Sequence, residues 1–217
     1  MVSTKQVRWS GGALIVAGVI LGIGLILHPD ETAPDALAHL LWGPTHFAIG
    51  VGFLISLLGL IGVHARQAEK AGVLGLIGFV VSFVSSAALS GPLLLIEGIV
   101  LPGLAQSEIA EAALAPTGPV FGGLLEPILL GTLYTFGIGY VLFGIAIIRA
   151  GVLPRWAAAS LIAGTPLAIF TPPLPAIFLA IGGVLIGVAY LWLGYAVLSS
   201  AGEGMRESQP TMAKMTM

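Results

Sequence analysis

His64-Ala65-Arg66-Gln67-Ala68-Glu69-Lys70-Ala71 holds the only charged residues in an apolar stretch that runs from Pro44 to Gly91. Read as a loop, it separates two membrane spans and places Arg66 and Lys70 on one face of a bilayer. The same reading extends along the chain. Lys5 and Arg8 precede the first apolar run, Arg149 and Arg155 lie between the fourth and fifth, and Arg206 and Lys214 follow the sixth. All 8 Lys and Arg residues therefore fall on one side. The alternate loops carry Asp30, Glu31, Asp35, Glu108 and Glu111 and no base. Cytoplasmic loops retain Lys and Arg because moving them across the bilayer is disfavoured. The expectation is an all-α integral membrane protein, a six-transmembrane-helix bundle with both termini inside, multi-pass in a cell (inner) membrane.

Composition leads to the same class. Only 8% of residues are charged and 57% are hydrophobic, whereas a soluble domain needs roughly a quarter charged residues to solvate its surface. Lipid is the solvent that suits such a chain. No basic patch is interleaved with aromatic residues, so nucleic acid is not an expected partner. With no Cys, disulfides, thiolate catalysis and iron–sulfur ligation are excluded.

A spanning helix needs about 20 apolar residues, because each rises ~1.5 Å through a core ~30 Å thick. The runs meeting this are placed at 9–27, 44–63, 71–91, 120–148, 153–170 and 175–198. They form one domain over 1–201, followed by a short polar tail, 202–217, expected to lack regular structure. Lys5 and Arg8 before an apolar run resemble a signal peptide. The Ala36-Leu37-Ala38 pattern lies too far beyond the run for cleavage, so it reads as a retained helix. The fifth run is short, contains Pro166 and ends in Thr171-Pro172-Pro173-Leu174-Pro175, which predicts a kink or local unwinding. Trp9 and Trp156 fall at the inner boundary and Trp42 at the outer one, as interfacial rings do.

Small residues recur at helical spacing: Gly18 and Gly22, Gly75 with Gly78, Ser82 and Ser85, Gly131 with Thr135 and Gly139, Ser160 with Gly164, and Gly183 with Gly187. Close backbone approach drives helix association in lipid, so these stripes predict tight packing within the bundle. A homo-oligomer seam made from one of these faces is the alternative.

The candidate site follows from depth. His28 is 20 residues from Arg8, and His46 is 20 from Arg66, so each lies ~30 Å above the inner boundary at helical rise. Glu126 is 23 residues before Arg149, or ~35 Å, and Glu97 is 27 beyond Lys70, nearer ~40 Å unless Pro92 bends its helix. His28, His46, Glu97 and Glu126 are thus expected to share one outer layer, with His39 and the acidic loop residues above them. Three readings stay open. The groups form a hydrated rim, they line an outer cavity for a small apolar or cationic ligand, or His28, His46 and Glu126 hold a divalent metal such as zinc. That last set would permit a membrane-embedded metal-dependent hydrolase with no catalytic residue assigned beyond the ligands. A structural subunit of a larger membrane complex would need no site at all. No required cofactor is expected. Glu126 precedes Pro127 and is read first as a charge favoured near a helix N-terminus. No Walker-type phosphate loop and no Gly-x-Ser-x-Gly elbow occurs.

Overall fold

The computed structural model describes the backbone of residues 4–169 and 175–213, with side chains over 5–169 and 175–199. Regular structure among them is entirely helical. The elements are α1 (Thr4–Ile26), a 3-10 turn (Ala36–Ala38), α2 (Trp42–Pro92), a π-helical segment (Leu93–Val100), α3 (Leu101–Ala105), α4 (Ala110–Leu114), α5 (Leu125–Ala150), α6 (Arg155–Ile169) and α7 (Ala176–Ala213). Among the described residues, four stretches are long and apolar enough to cross a membrane: Lys5–Ile26, Trp42–Ala105, Leu125–Ala150 and Ala176–Ser199.

The stretch chosen above as a loop is helical. Ala, Arg, Gln, Glu and Lys are strong helix formers, and α2 runs straight through Arg66 and Lys70. The reversal comes immediately afterwards at Gly72, whose φ of 57° and ψ of −154° only a residue without Cβ adopts readily. Beyond it the chain doubles back. The His64 ring stacks on Phe79 with centroids 4.4 Å apart, a Cβ on Gly50 would meet Ser90 and Leu94, and a Cβ on Gly98 would meet Phe47. Contacts whose numbers converge on Gly72 from both sides define two antiparallel halves.

Other boundaries also shift. The third run does not stop at Gly91. Pro92 sits at φ −55° and ψ −45°, and the chain continues through the π-helical turns, where the Leu101 amide bonds the Ile96 carbonyl, to Ala105. The fourth run begins at Leu125 instead of 120, because Pro119, Gly122 and Gly123 keep the preceding segment irregular. It ends at Gly151, whose left-handed φ of 63° closes the helix through its amide to Ile147. The fifth run is 15 residues, Arg155–Ile169, and Pro166 does not interrupt it. The predicted break at 171–175 falls on Thr171–Leu174, which lie outside the described residues. α7 continues to Ala213 across most of the tail expected to be irregular. Extending an existing helix needs no new nucleus, and Ala, Glu, Met, Arg and Gln favour it.

Glycines set the packing. A Cβ on Gly11 would stand 2.7 Å from the Gly194 carbonyl oxygen, and one on Gly18 3.0 Å from that of Gly187. Numbers rise on α1 as they fall on α7, so these helices are antiparallel and their backbones nearly touch. Gly59 and Gly62 likewise meet Leu14 and Ser10, Gly78 and Gly139 lock the second half of α2 to α5, and Gly164 meets α7 at Gly182 and Leu185. Gly131 faces open space, so that part of its stripe does not pack within the chain.

A set of polar side chains lies within the largely apolar interior, and apolar ones face outward. Ser56, Gln67, Ser82, Ser85, Ser86 and Ser90 are buried, while Val16, Ile23, Leu58, Val73, Ile138 and Val188 face outward. Such an apolar outer surface is what a helix bundle presents to lipid. Near the centre, the Tyr190 hydroxyl donates to Tyr140 at 2.6 Å, and Tyr140 and Ser86 share a hydrogen bond of 3.0 Å.

Candidate functional site

Two helix termini bring the histidines together. The residue before a proline is pushed away from helical geometry, and His28 precedes Pro29 just past the end of α1. His46 lies in the opening turns of α2, directly after Pro44 and Thr45. Their Nε2 atoms are 3.1 Å apart and the ring centroids 4.5 Å. Each outer nitrogen is tied to the backbone: His28 Nδ1–H donates to the Pro29 carbonyl at 2.8 Å, and His46 Nδ1–H to the Trp42 carbonyl at 2.9 Å. Trp42 stacks on His46 at 4.4 Å.

Trp42 therefore does not serve as an interfacial belt residue. It is buried as one wall of the site, whereas Trp9 and Trp156 are exposed.

Glu31, which the sequence reading left among the loop acids, approaches most closely. Its Oε1 is 3.8 Å from His28 Nε2. Loss of water around this carboxyl raises its pKa above the ordinary value, and His28 pulls in the opposite direction. Glu31 lies three positions after His28, and that spacing is the signal available in the sequence. Asp30 is turned away, its carboxylate accepting hydrogen bonds from the Thr32 amide and hydroxyl. His39 is exposed, with Nδ1 accepting from the Leu41 amide.

Glu97 sits in the π-helical segment, where the extra residue per turn displaces it from the regular helix face. Its Oε2 is buried close to the Trp42 indole N–H. Glu126 occupies the first turn of α5. It reaches the same cavity without joining the histidine pair.

That cavity has a volume of about 690 Å³, within the ordinary range for small-molecule sites. Its polar end carries His28, Glu31, His46, Glu97 and Glu126, and its depth is walled by residues such as Phe53, Leu89, Leu133, Phe136 and Ile186. Phe136 packs on Tyr140 at 4.4 Å, so the floor rests on the buried tyrosine network. Above lies a second hollow of about 800 Å³ sharing Glu31, Trp42, Glu97, Phe121 and Glu126. Asp35 and Glu111 complete its acidic lining, and no Lys or Arg contributes. The four residues expected to share an outer layer thus line one cavity. Among the described residues, no group of three or more His, Asp or Glu side chains stands close enough together to hold a metal ion.

Comparisons with protein-family models, with curated proteins and with solved structures find no match for this chain. The fold and site together define its class: a helical protein with several helices apolar enough to cross a membrane, enclosing an apolar cavity beneath an acidic mouth.

Proposed function

We propose that this chain is a six-pass membrane protein with both termini on the cytoplasmic side, and that it takes up a small, largely apolar ligand bearing a cationic group through a cavity at the outer face. Support for six passes comes from the break at Gly72, which divides the Trp42–Ala105 stretch, together with α6 packed between α5 and α7. Every neighbouring pair described above runs antiparallel, so the segments alternate in direction. The basic residues Arg66, Lys70, Arg149 and Arg155 then share one end and the acidic hollow occupies the other.

The observation that carries the ligand reading is the cavity itself. Apolar depth binds an apolar body, at about 25 cal/mol per Å² removed from water. Carboxylates without a balancing base raise the local concentration of cations and disfavour anions. Nothing in this reading requires a chemical step, and the protein acts by binding or passing its ligand.

The test is a titration in lipid nanodiscs, with chelator present, of an alkyl-aromatic quaternary ammonium and of a sulfonate with the same apolar body. The ammonium should bind at least about 10-fold tighter, a difference of ~1.4 kcal/mol. Glu97→Gln and Glu126→Gln should narrow that preference, and Leu133→Trp, which fills the cavity, should weaken both probes. Equal affinity for the two probes, or indifference to Leu133→Trp, would overturn the reading.

A further inference from the structure

A carbonyl oxygen can only accept a hydrogen bond, so the contacts to Pro29 and Trp42 place a proton on Nδ1 of each histidine. In the neutral imidazole the second nitrogen is then bare. His28 and His46 consequently bring two bare nitrogens to 3.1 Å of each other in an edge-to-face arrangement, in a pocket where both rings are nearly sealed from solvent. Two bare nitrogens that close repel unless a positive centre, either a proton carried by one imidazolium or a metal ion, lies between them. The alternative tautomer removes the clash only by directing a bare Nδ1 at a carbonyl oxygen 2.8 or 2.9 Å away, which exchanges one repulsion for another.

We propose that His28 and His46, with Glu31 closing on them, form a binding site for one divalent transition-metal ion of the zinc class at the outer end of the cavity. Two nitrogens each ~2.05 Å from an ion in tetrahedral geometry stand about 3.3 Å apart, and the observed separation is 3.1 Å. A nitrogen and a carboxylate oxygen on the same ion stand about 3.4 Å apart. The His28–Glu31 distance of 3.8 Å is therefore roughly half an ångström too long for shared ligation. Glu31 lies in the loop between α1 and α2, where a shift of that size disturbs no helix.

Nδ1–H bonds to backbone carbonyls are the usual outer support of metal-bound histidines, fixing both the tautomer and the ring plane. Trp42 stacked on His46 holds the second ring further. The ligand set, two imidazoles and a carboxylate, suits zinc, cobalt, nickel or copper(II) more than magnesium or calcium. Remaining coordination positions would face the cavity. Glu97 lines the same polar end beside Trp42.

This inference goes beyond the ligand reading and does not depend on it, since the ligand titration is run in chelator and the metal titration without ligand. Chelator-stripped protein in nanodiscs is titrated with Co²⁺, followed by its visible absorption, and with Zn²⁺ in competition. Expected is one saturable equivalent per chain with Kd on the order of 10 μM or tighter, with the intense bands of tetrahedral cobalt. His28→Ala and His46→Ala should each weaken binding by at least about 100-fold, and Glu31→Gln by about 10-fold. His64→Ala, at the opposite end beside Phe79, should bind as the unaltered protein does. Absence of saturable binding to the unaltered protein overturns the proposal whatever the variants do, and so does binding that survives His46→Ala or is lost equally in His64→Ala. If His46→Ala fails to fold, His28→Gln provides the same comparison from the end of α1.

Discussion

At the scale of single residues, the site depends on matching levels and on rotation about helix axes, and only the first is legible in a sequence. Equal spacing from Arg8 and Arg66 places His28 and His46 at one height. Their contact at 3.1 Å requires that both also turn inward, which follows from how α1 packs on α2. Glu31 was legible in principle, being three residues from His28, yet its role depends on the loop folding back over the ring. The buried hydroxyls allow a direct prediction. Tyr140→Phe removes the partner shared by Tyr190 and Ser86, and should cost about 1 kcal/mol of unfolding free energy. Reversible unfolding in mixed micelles measures it. Ser199→Ala, an exposed hydroxyl bonded only within its own helix, should change the same quantity by no more than about 0.5 kcal/mol.

At the scale of elements, helix ends obeyed local chemistry while helix persistence did not follow polarity. A loop was expected at residues 64–70 because those residues are charged, but their helix propensity prevailed and the turn waited for Gly72. Gly72→Ala forces a side chain into strained backbone and should cost about 1–3 kcal/mol, although no atom beyond its own stretch of chain lies within 4 Å of the new Cβ. That distinguishes strain from crowding. The α1–α7 seam fails in the other way. Gly194→Ala drives a Cβ to 2.7 Å from the Gly11 carbonyl oxygen and should destabilise by about 2 kcal/mol. Gly12→Ala, next to Gly11 on α1 and facing open space, should be neutral or stabilising by about 0.5 kcal/mol. Thermal unfolding of the three variants in one detergent checks both mechanisms, and equal effects for Gly194→Ala and Gly12→Ala would deny the seam.

At the scale of the whole molecule, the arrangement of passes is open to a chemical test because the chain contains no Cys. Asp35→Cys and Glu108→Cys should react with a membrane-impermeant maleimide in intact cells. Lys70→Cys and Arg149→Cys should react only after the membrane is opened. Labelling of Lys70→Cys from outside would invert the frame and bring the acidic mouth to the interior. What the sequence indicated by itself was the solvent: too few charges to coat a soluble surface, and several apolar runs long enough to span. These are sums over composition and spacing, so they survive without coordinates. Tertiary structure alone decided that His28 and His46 touch, that Trp42 is a wall and not a belt residue, and that an apolar cavity opens beneath acids from distant segments. Those facts depend on helix rotation and on which backbones glycine lets approach, and both are set by contacts between residues far apart in the chain.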